Sequence, residues 1–499
     1  MRPFLYFAAM ILAANVSAEV RLAALFTDHT VLQRRVEIPV WGWASPGENV
    51  SVEFRAHTAR AVADANGRWQ VKLPAMEAGA PAEMIVRGTN EVRLRDVVLG
   101  EVWLCSGQSN MAFRVEELDE PEEEAAAEYP DIRHFAVGIA VAMEPAESVE
   151  GRWMVCSPAT VGRFTATGYY FARELQRKLG VPVGLINASV GGTQIESWMS
   201  AEALASDPAF AVVAQRWAEA LANYPVLAQA VTEARTRWNA VTVAERFELA
   251  RAGLRPGPMP PGPGNRDTPS SLFNAMIHPL MPYAIRGTLW DQGGANASRY
   301  SEYGRLFCAM IEDWRTKWNG GQLPFLFVQA PNFLDPKSSG YDRAGLRLAQ
   351  AEALKLPATE MAVTVDIGET NNVHPLNKRQ VGARLAAIAR AKVYGENLIF
   401  SGPRFRSAER IDDKAVRVNF ETWGEALVSA SERFGGFELA TAEGNYVAVS
   451  ARIEGTGVVL TVPEGVQPLR VVYAWGDDPA CDLRSASGLP AAPFIAELR

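Results

Sequence analysis

Apolar and polar positions change their rhythm twice along the chain. From residue 20 to about residue 100 the apolar runs are short and alternate. The segment "SVEFRAHTARAVADANGRWQVKLP" alternates on both sides of Asn66-Gly67, and this pattern predicts a hairpin there. Together with "TVLQRRVEIPVWGWA" and the turn "SPGENV", it predicts a small β-sandwich-like domain over 19–96.

From Val97 onward apolar strands alternate with helical runs. "VVLGEVWL", "VPVGLIN", "AIRGTLW", "LPFLFV" and "MAVTVDIG" read as buried strands. "TGYYFARELQRKLG", "RYSEYGRLFCAMIEDWRTKW", "AGLRLAQAEALKL" and "NKRQVGARLAAIARAKVYG" read as helices between and after them. Such alternation predicts an α/β domain over 97–400, with a parallel sheet covered by helices on both faces. A polar helical insertion at about 201–269 interrupts it and ends in the Pro/Gly loop "RPGPMPPGPGNRDTP". After "SGPRF" the helices stop, and short strand-like runs predict a C-terminal β domain over 401–499.

The first residues follow neither rhythm. Arg2, the short apolar stretch "FLYFAAMILAA" and the small residues "VSA" predict a secretory signal over 1–18, with cleavage after Ala18. The expected location is therefore secreted or periplasmic. Such a stretch is too short for a spanning helix. The 499 residues suggest two to four domains, and the net charge of -8, with no basic stripe, argues against nucleic-acid or anionic-membrane partners. Cys105, Cys156, Cys308 and Cys481 are widely spaced without a C-x-x-C, so no zinc site is expected. Cys105, at the end of an apolar run, reads as a buried thiol.

In a parallel α/β sheet, ligands bind beyond the carboxyl ends of the strands. Four polar clusters fall there: "SGQSN", "SVGGT", "DQGGAN" and "GETNNVHP". Ester cleavage needs a nucleophile, a base and donors for an oxyanion. Ser109 has the placement of a nucleophile; its alternative is a helix N-cap. Of five histidines, only His374 lies at a core strand end. Gly191 lets a backbone amide approach a ligand, and Asn296 offers a side-chain NH2.

These blocks resemble the sialate O-acetylesterases, secreted members of the SGNH hydrolase superfamily. "GEVWLCSGQSNM" resembles the serine block, "PVGLINASVGGTQIESWM" the glycine block, "LWDQGGANA" the asparagine block and "VHPLNKRQVGARLA" the histidine block. "LFTDHTVLQR", "PVWGWASPGE", "GRWQVKLP", "PSSLFNAMIHPL" and "SGLPAAPF" extend the likeness over nearly the whole mature chain, the insertion excepted. The resemblance implies a secreted carbohydrate esterase that removes O-acetyl groups from sugars through a serine acyl-enzyme. Ser109 would attack, His374 would serve as base, and the Ser109 amide, the Gly191 amide and the Asn296 side chain would hold the oxyanion. It implies neither metal nor organic cofactor, and its partner is an acetylated carbohydrate, either sialic acid or an acetylated polysaccharide.

Two departures stand out. The aspartate usual two residues before the histidine is Asn372, and "WYQGESNA" has become "WDQGGANA". Gln292, Gly293 and Asn296 are kept, but Asp291, Gly294 and Ala295 replace tyrosine, glutamate and serine. Asp366 and Glu369 are candidate substitutes for the missing acid, and a Ser–His dyad helped by a backbone carbonyl is another solution. The competing readings are a catalytically impaired homologue that binds glycans or serves structurally and, more distantly, a serine peptidase.

Overall fold

The computed structural model describes residues 19–318, 321–442 and 445–498. The proposed signal over 1–18 lies outside them. The N-terminal unit is built from antiparallel pairs, except that Val31–Gln33 runs parallel to Val98–Gly100. Ile38–Trp43 pairs with Arg68–Leu73, and Asn49–Phe54 pairs with His57–Val62.

The hairpin expected at Asn66-Gly67 does not form as a strand pair. The turn itself is there: Gly67 has φ +76, and the Asp64 amide donates to the Arg68 carbonyl. The strands on either side belong to different sheets, however. Turn chemistry fixes a chain reversal, but the strand that pairs is chosen by apolar faces further away. The hairpin turn lies at Arg55-Ala56 instead, where Arg55 takes φ +53.

One strand, β1 (Glu91–Gly107), joins this unit to the core. Its first residues pair with Ala82–Arg87, and its last residues enter the main sheet. Residues 96 and 97 therefore lie inside a continuous 17-residue strand. From Val97 to Gly107 every residue is buried.

The helix α1 (Ser109–Ala112) follows directly, then β2 (Tyr129–Ala136), β3 (Trp153–Cys156), α2 (Ala166–Leu179) and β4 (Val183–Ser189). After the insertion, which carries the long helix α3 (Ala211–Ala240), come β5 (Gly287–Asp291), α4 (Tyr300–Lys317) and β6 (Phe325–Val328). α5 (Asp342–Ala351), β7 (Thr359–Ala362) and α6 (Lys378–Lys392) complete the core. The sheet order is β3-β2-β4-β1-β5-β6-β7, parallel except for the antiparallel β3.

Side chains alternate across this sheet, as strand geometry requires. Trp103, Cys105, Leu289 and Leu326 face α2 and α6, packing on Phe171, Leu175, Leu385 and Ile388. Ile186, Trp290, Phe325 and Phe327 face the other way, onto Leu306 and Phe307 of α4 and Leu346 of α5. Each such fully buried side chain contributes roughly 1.5–3 kcal/mol. Both faces are therefore covered, and the open places are the strand ends.

α3 buries only Val213 of its 30 residues and contains Pro225. It leaves Val212, Leu221, Val226 and Leu227 exposed and touches the core through its first turns. There Arg216 pairs bidentately with Glu302, at 3.1 and 3.0 Å. Beyond residue 403 two four-stranded antiparallel sheets and a two-stranded one share a cluster that includes Val416, Val418, Leu460, Val471 and Tyr473. All four cysteines are free thiols, and Cys105 is buried.

Candidate active site

At the carboxyl edge of the sheet, Gly107 of β1 stands in register with Ser189 of β4 and Asp291 of β5. Gly107 has φ +130, and a Cβ there would lie 2.2 Å from the Asp291 carbonyl oxygen. That oxygen accepts from the Gln108 amide at 2.8 Å. Only glycine fits so close an approach in that conformation. The strand thus turns at once into α1, whose first residue is Ser109. Gln108, not Ser109, is the N-cap, and Ser109 is half-buried. Among the described residues Ser109 Oγ makes no hydrogen bond.

Gly191 follows β4 and faces this serine. A Cβ built on it would lie 3.4 Å from the Ser109 Cβ. The Val190 amide donates to the Gly107 carbonyl at 3.0 Å, fixing the two loops together.

Asn296 is buried, in the turn after β5. Its Oδ1 accepts from the Ile195 amide at 3.0 Å and from Gln292 Nε2 at 2.9 Å. Its Nδ2 donates to Glu196 Oε2 at 2.9 Å. The amide orientation is therefore fixed on both sides, and one Nδ2 hydrogen is left over. Glu196 is itself buried and accepts from Arg299 at 2.8 Å. Gln292 supports Asn296 and also donates to the Thr193 carbonyl at 3.0 Å.

The loop that carries His374 is tied to the serine turn. Asn110 Nδ2 donates to the Val373 carbonyl at 3.2 Å, and Asn110 Oδ1 accepts from Lys378 Nζ at 2.5 Å. The His374 ring sits against Phe113, with ring centroids 6.2 Å apart. Burial, then the Lys378 cation, hold its imidazole below the ordinary histidine value, with Glu117 opposing. Lys378 is buried, and that burial pushes it down to about 8, with Asp291 acting the other way. Asp291, also buried, is pushed up to about 6.

The candidate acids behave differently from the sequence expectation. Asn372 does not touch the His374 ring. Its Oδ1 accepts from the His374 backbone amide at 3.0 Å, and its Nδ2 donates to Glu369 Oε2 at 3.0 Å. Glu369 in turn caps the Leu376 amide at 2.7 Å. The Asp366 side chain is fully buried and gripped by Arg384 at 2.6 and 2.8 Å, with Arg484 at 3.2 Å. Its carboxylate is thus taken up by two arginines. Among the described residues no carboxylate reaches the His374 ring, and no group of three or more His, Cys, Asp or Glu could hold a metal ion.

The other histidines lie elsewhere. His134 on β2 is buried and pushed down to about 3, and His278 holds the Ala146 carbonyl at 3.1 Å.

A half-buried serine, a histidine of lowered pKa and a fixed amide thus come together at the carboxyl edge of the sheet. A family model described as a carbohydrate esterase, sialic acid-specific acetylesterase, matches residues 99–231. A sialate O-acetylesterase of Rattus norvegicus is 32% identical over 424 residues, covering 77% of this chain and 75% of the rat protein. The chain belongs to the sialate O-acetylesterase family. The Homo sapiens sialate O-acetylesterase is 28% identical over 98% of the chain and 95% of its own length. A solved carbohydrate acetylesterase from Xanthomonas citri superposes with TM-score 0.81 at 34% identity, over 96% of this chain and 99% of that one. This member of the family is accordingly an esterase. Three side chains that support this edge escaped the reading of sequence alone: Asn110, Glu196 and Lys378. They lie inside the matching blocks, but their buried partners sit about 100 residues or more away in the chain.

Proposed function

We propose that this esterase is exported and hydrolyses O-acetyl esters of sugars through an acetyl-serine intermediate. Ser109 Oγ attacks the acetyl carbonyl while His374 takes the hydroxyl proton. The carbonyl oxygen becomes an oxyanion, held by the amides of Ser109 and Gly191 and the free Nδ2 hydrogen of Asn296. The intermediate collapses, and the sugar oxygen leaves with the proton from His374. Water, deprotonated by His374, then attacks the acetyl-serine, and the bond to Ser109 Oγ breaks as His374 returns the proton to that oxygen, freeing acetic acid, which ionises to acetate.

The single observation that carries this reading is the Asn110 tether. It joins the residue after Ser109 to the residue before His374, and so fastens the two loops that the chemistry must bring together. A Ser–His dyad without a carboxylate fits the contacts of the imidazole, whose lowered pKa keeps it a free base at neutral pH. The absent acid is also what favours an impaired homologue as the second reading.

The test is acetate release from an aryl acetate and from an O-acetylated sugar by the protein and by Ser109→Ala. The proposal expects turnover by the first and a loss of roughly three orders of magnitude or more in the second. Equal rates would remove Ser109 from the mechanism, and no turnover by either would favour the impaired homologue. Export is tested separately, by finding the mature N-terminus at Glu19 in the fluid outside the cytoplasm.

A further inference from the structure

Arg343, on α5, breaks the pattern set by the other buried arginines. Arg347 donates to the carbonyls of Ala330, Pro331, Gly476 and Asp477 at 2.7–3.1 Å. Arg384 grips Asp366. Arg343 is only 6% exposed, yet among the described residues its guanidinium donates to no acceptor and has no carboxylate within 4.0 Å. Its Nε is buried without a partner. The group lies over the Phe333 ring, 4.6 Å from the centroid. Asp477, whose Oδ1 accepts from the Arg343 backbone amide at 2.7 Å, and Asp335 act on the guanidinium only from beyond contact distance, so an anion supplied from outside would give this buried cation the contact it lacks.

The place for that anion lies beside the nucleophile. A Cβ on Gly294 would meet Gln108 Nε2 at 3.0 Å and Arg343 Nη2 at 3.8 Å. Gln108 Oε1 faces the Ala295 amide at 3.3 Å and the Gly293 amide at 3.5 Å, which sets its NH2 toward Gly294. That NH2 also has no acceptor among the described residues. Two side-chain donors, one of them charged, thus converge over a half-buried glycine that has no side chain to answer them. Gln108 immediately precedes Ser109, and consecutive Cα atoms are about 3.8 Å apart.

We propose that Arg343 and Gln108 form an anion subsite above Gly294 that takes the carboxylate of an acidic O-acetylated sugar. A guanidinium edge beside an amide NH2 matches a planar carboxylate. The proposal rests on the esterase reading and sharpens it, because an acidic sugar would be preferred to a neutral acetylated polysaccharide.

The test compares kcat/KM for an O-acetylated sialic acid with that for the same sugar whose carboxylate is capped as an amide. The protein is expected to prefer the free acid about tenfold or more. Arg343→Gln should reduce that preference to within about threefold. Gly294→Glu should do the same with Arg343 still present, since it supplies the carboxylate from within. The Gly294 backbone admits a side chain, and the nearest atom is the end of the flexible Gln108 side chain. Thermal melts establish that both variants are folded.

Equal handling of the two esters by the unmodified protein, or an undiminished preference in either folded variant, overturns the proposal. Acetate inhibition that Arg343→Gln abolishes, with no preference between the esters, would assign the subsite to the product instead and overturn the sugar assignment. Hydrolysis of neither ester, with aryl acetate still cleaved, overturns the subsite alone; failure on all three substrates overturns the esterase reading beneath it.

Discussion

Asn110 Nδ2 donates to the Val373 carbonyl across 3.2 Å, between residues 263 apart in the chain. The same side chain accepts from Lys378 at 2.5 Å. One amide thus holds the His374 loop on both sides of the histidine, from the residue next to Ser109. Asn110→Ala removes both bonds and leaves the Lys378 ammonium buried without its acceptor. Each bond is worth about 1–3 kcal/mol when a buried partner is left behind. The expected result is a kcat for aryl acetate lowered about ten- to a hundredfold, with KM changed less than about threefold. Stopped assays on the folded variant check it.

The pH profile should carry the mark of the same lysine. Burial and the Lys378 cation both disfavour the imidazolium, so the His374 pKa lies below the ordinary 6.5. A base of lowered pKa stays unprotonated to lower pH, and the acid limb of kcat/KM should therefore fall below pH 6.5. Lys378→Met removes the cation and should move that limb upward, toward the ordinary value. A limb that stays put in Lys378→Met, measured from pH 4 to 9, would show that another group controls it.

The strand ends were legible because a buried parallel strand is an apolar run, and its exit is a glycine or a polar cluster. Ser109, Gly191 and Asn296 lie where those runs stop, and His374 lies in the loop that leads from β7 to α6. Partner choice was not legible. The Asn66-Gly67 turn forms, yet its strands go to separate sheets, because pairing is set by faces contributed from Ile38–Trp43 and Asn49–Phe54. Asp366 looked available to a histidine eight residues on, but Arg384 lies in the second turn of α6 and holds it first. The open guanidinium of Arg343 was beyond reach for the same reason, since its isolation is a property of everything folded around it.

Asp366→Asn should test whether that carboxylate is structural. It leaves Arg384, 9% exposed at the side chain, and Arg484 without their carboxylate. Breaking a buried pair by removing one partner costs about 3–5 kcal/mol. A thermal midpoint lowered by several degrees is expected, with kcat of the folded fraction little altered. A large loss of kcat at unchanged stability would return Asp366 to the catalytic machinery.

Glu196 should act through Asn296. Its Oε2 accepts from Asn296 Nδ2 while Oε1 accepts from Arg299. In Glu196→Gln one of those donors must face an NH2, and the Asn296 amide loses its fixed aim. Oxyanion donors are worth roughly a hundred- to a thousandfold in kcat when removed outright. A misaimed donor should cost about tenfold or more, chiefly in kcat, since the ground-state carbonyl depends less on it. A change confined to KM would place Glu196 in sugar binding instead.

Asn372→Asp restores the acid that the histidine block lacks, and the geometry predicts little gain from it. The Asn372 side chain serves the His374 backbone amide and Glu369, not the ring. An aspartate there would keep the bond to the amide but would set a second carboxylate 3.0 Å from Glu369 Oε2, where asparagine now donates a hydrogen bond. Like charges at that distance raise the pKa of one partner, so part of the new acid would be neutral at the pH of the assay. Its field on His374 would still be felt, and the acid limb of kcat/KM should move slightly upward. We expect kcat within about threefold of the unmodified protein. A rise of two orders of magnitude would mean that the loop rotates to present the carboxylate to the imidazole, and that asparagine had been the element holding the dyad back.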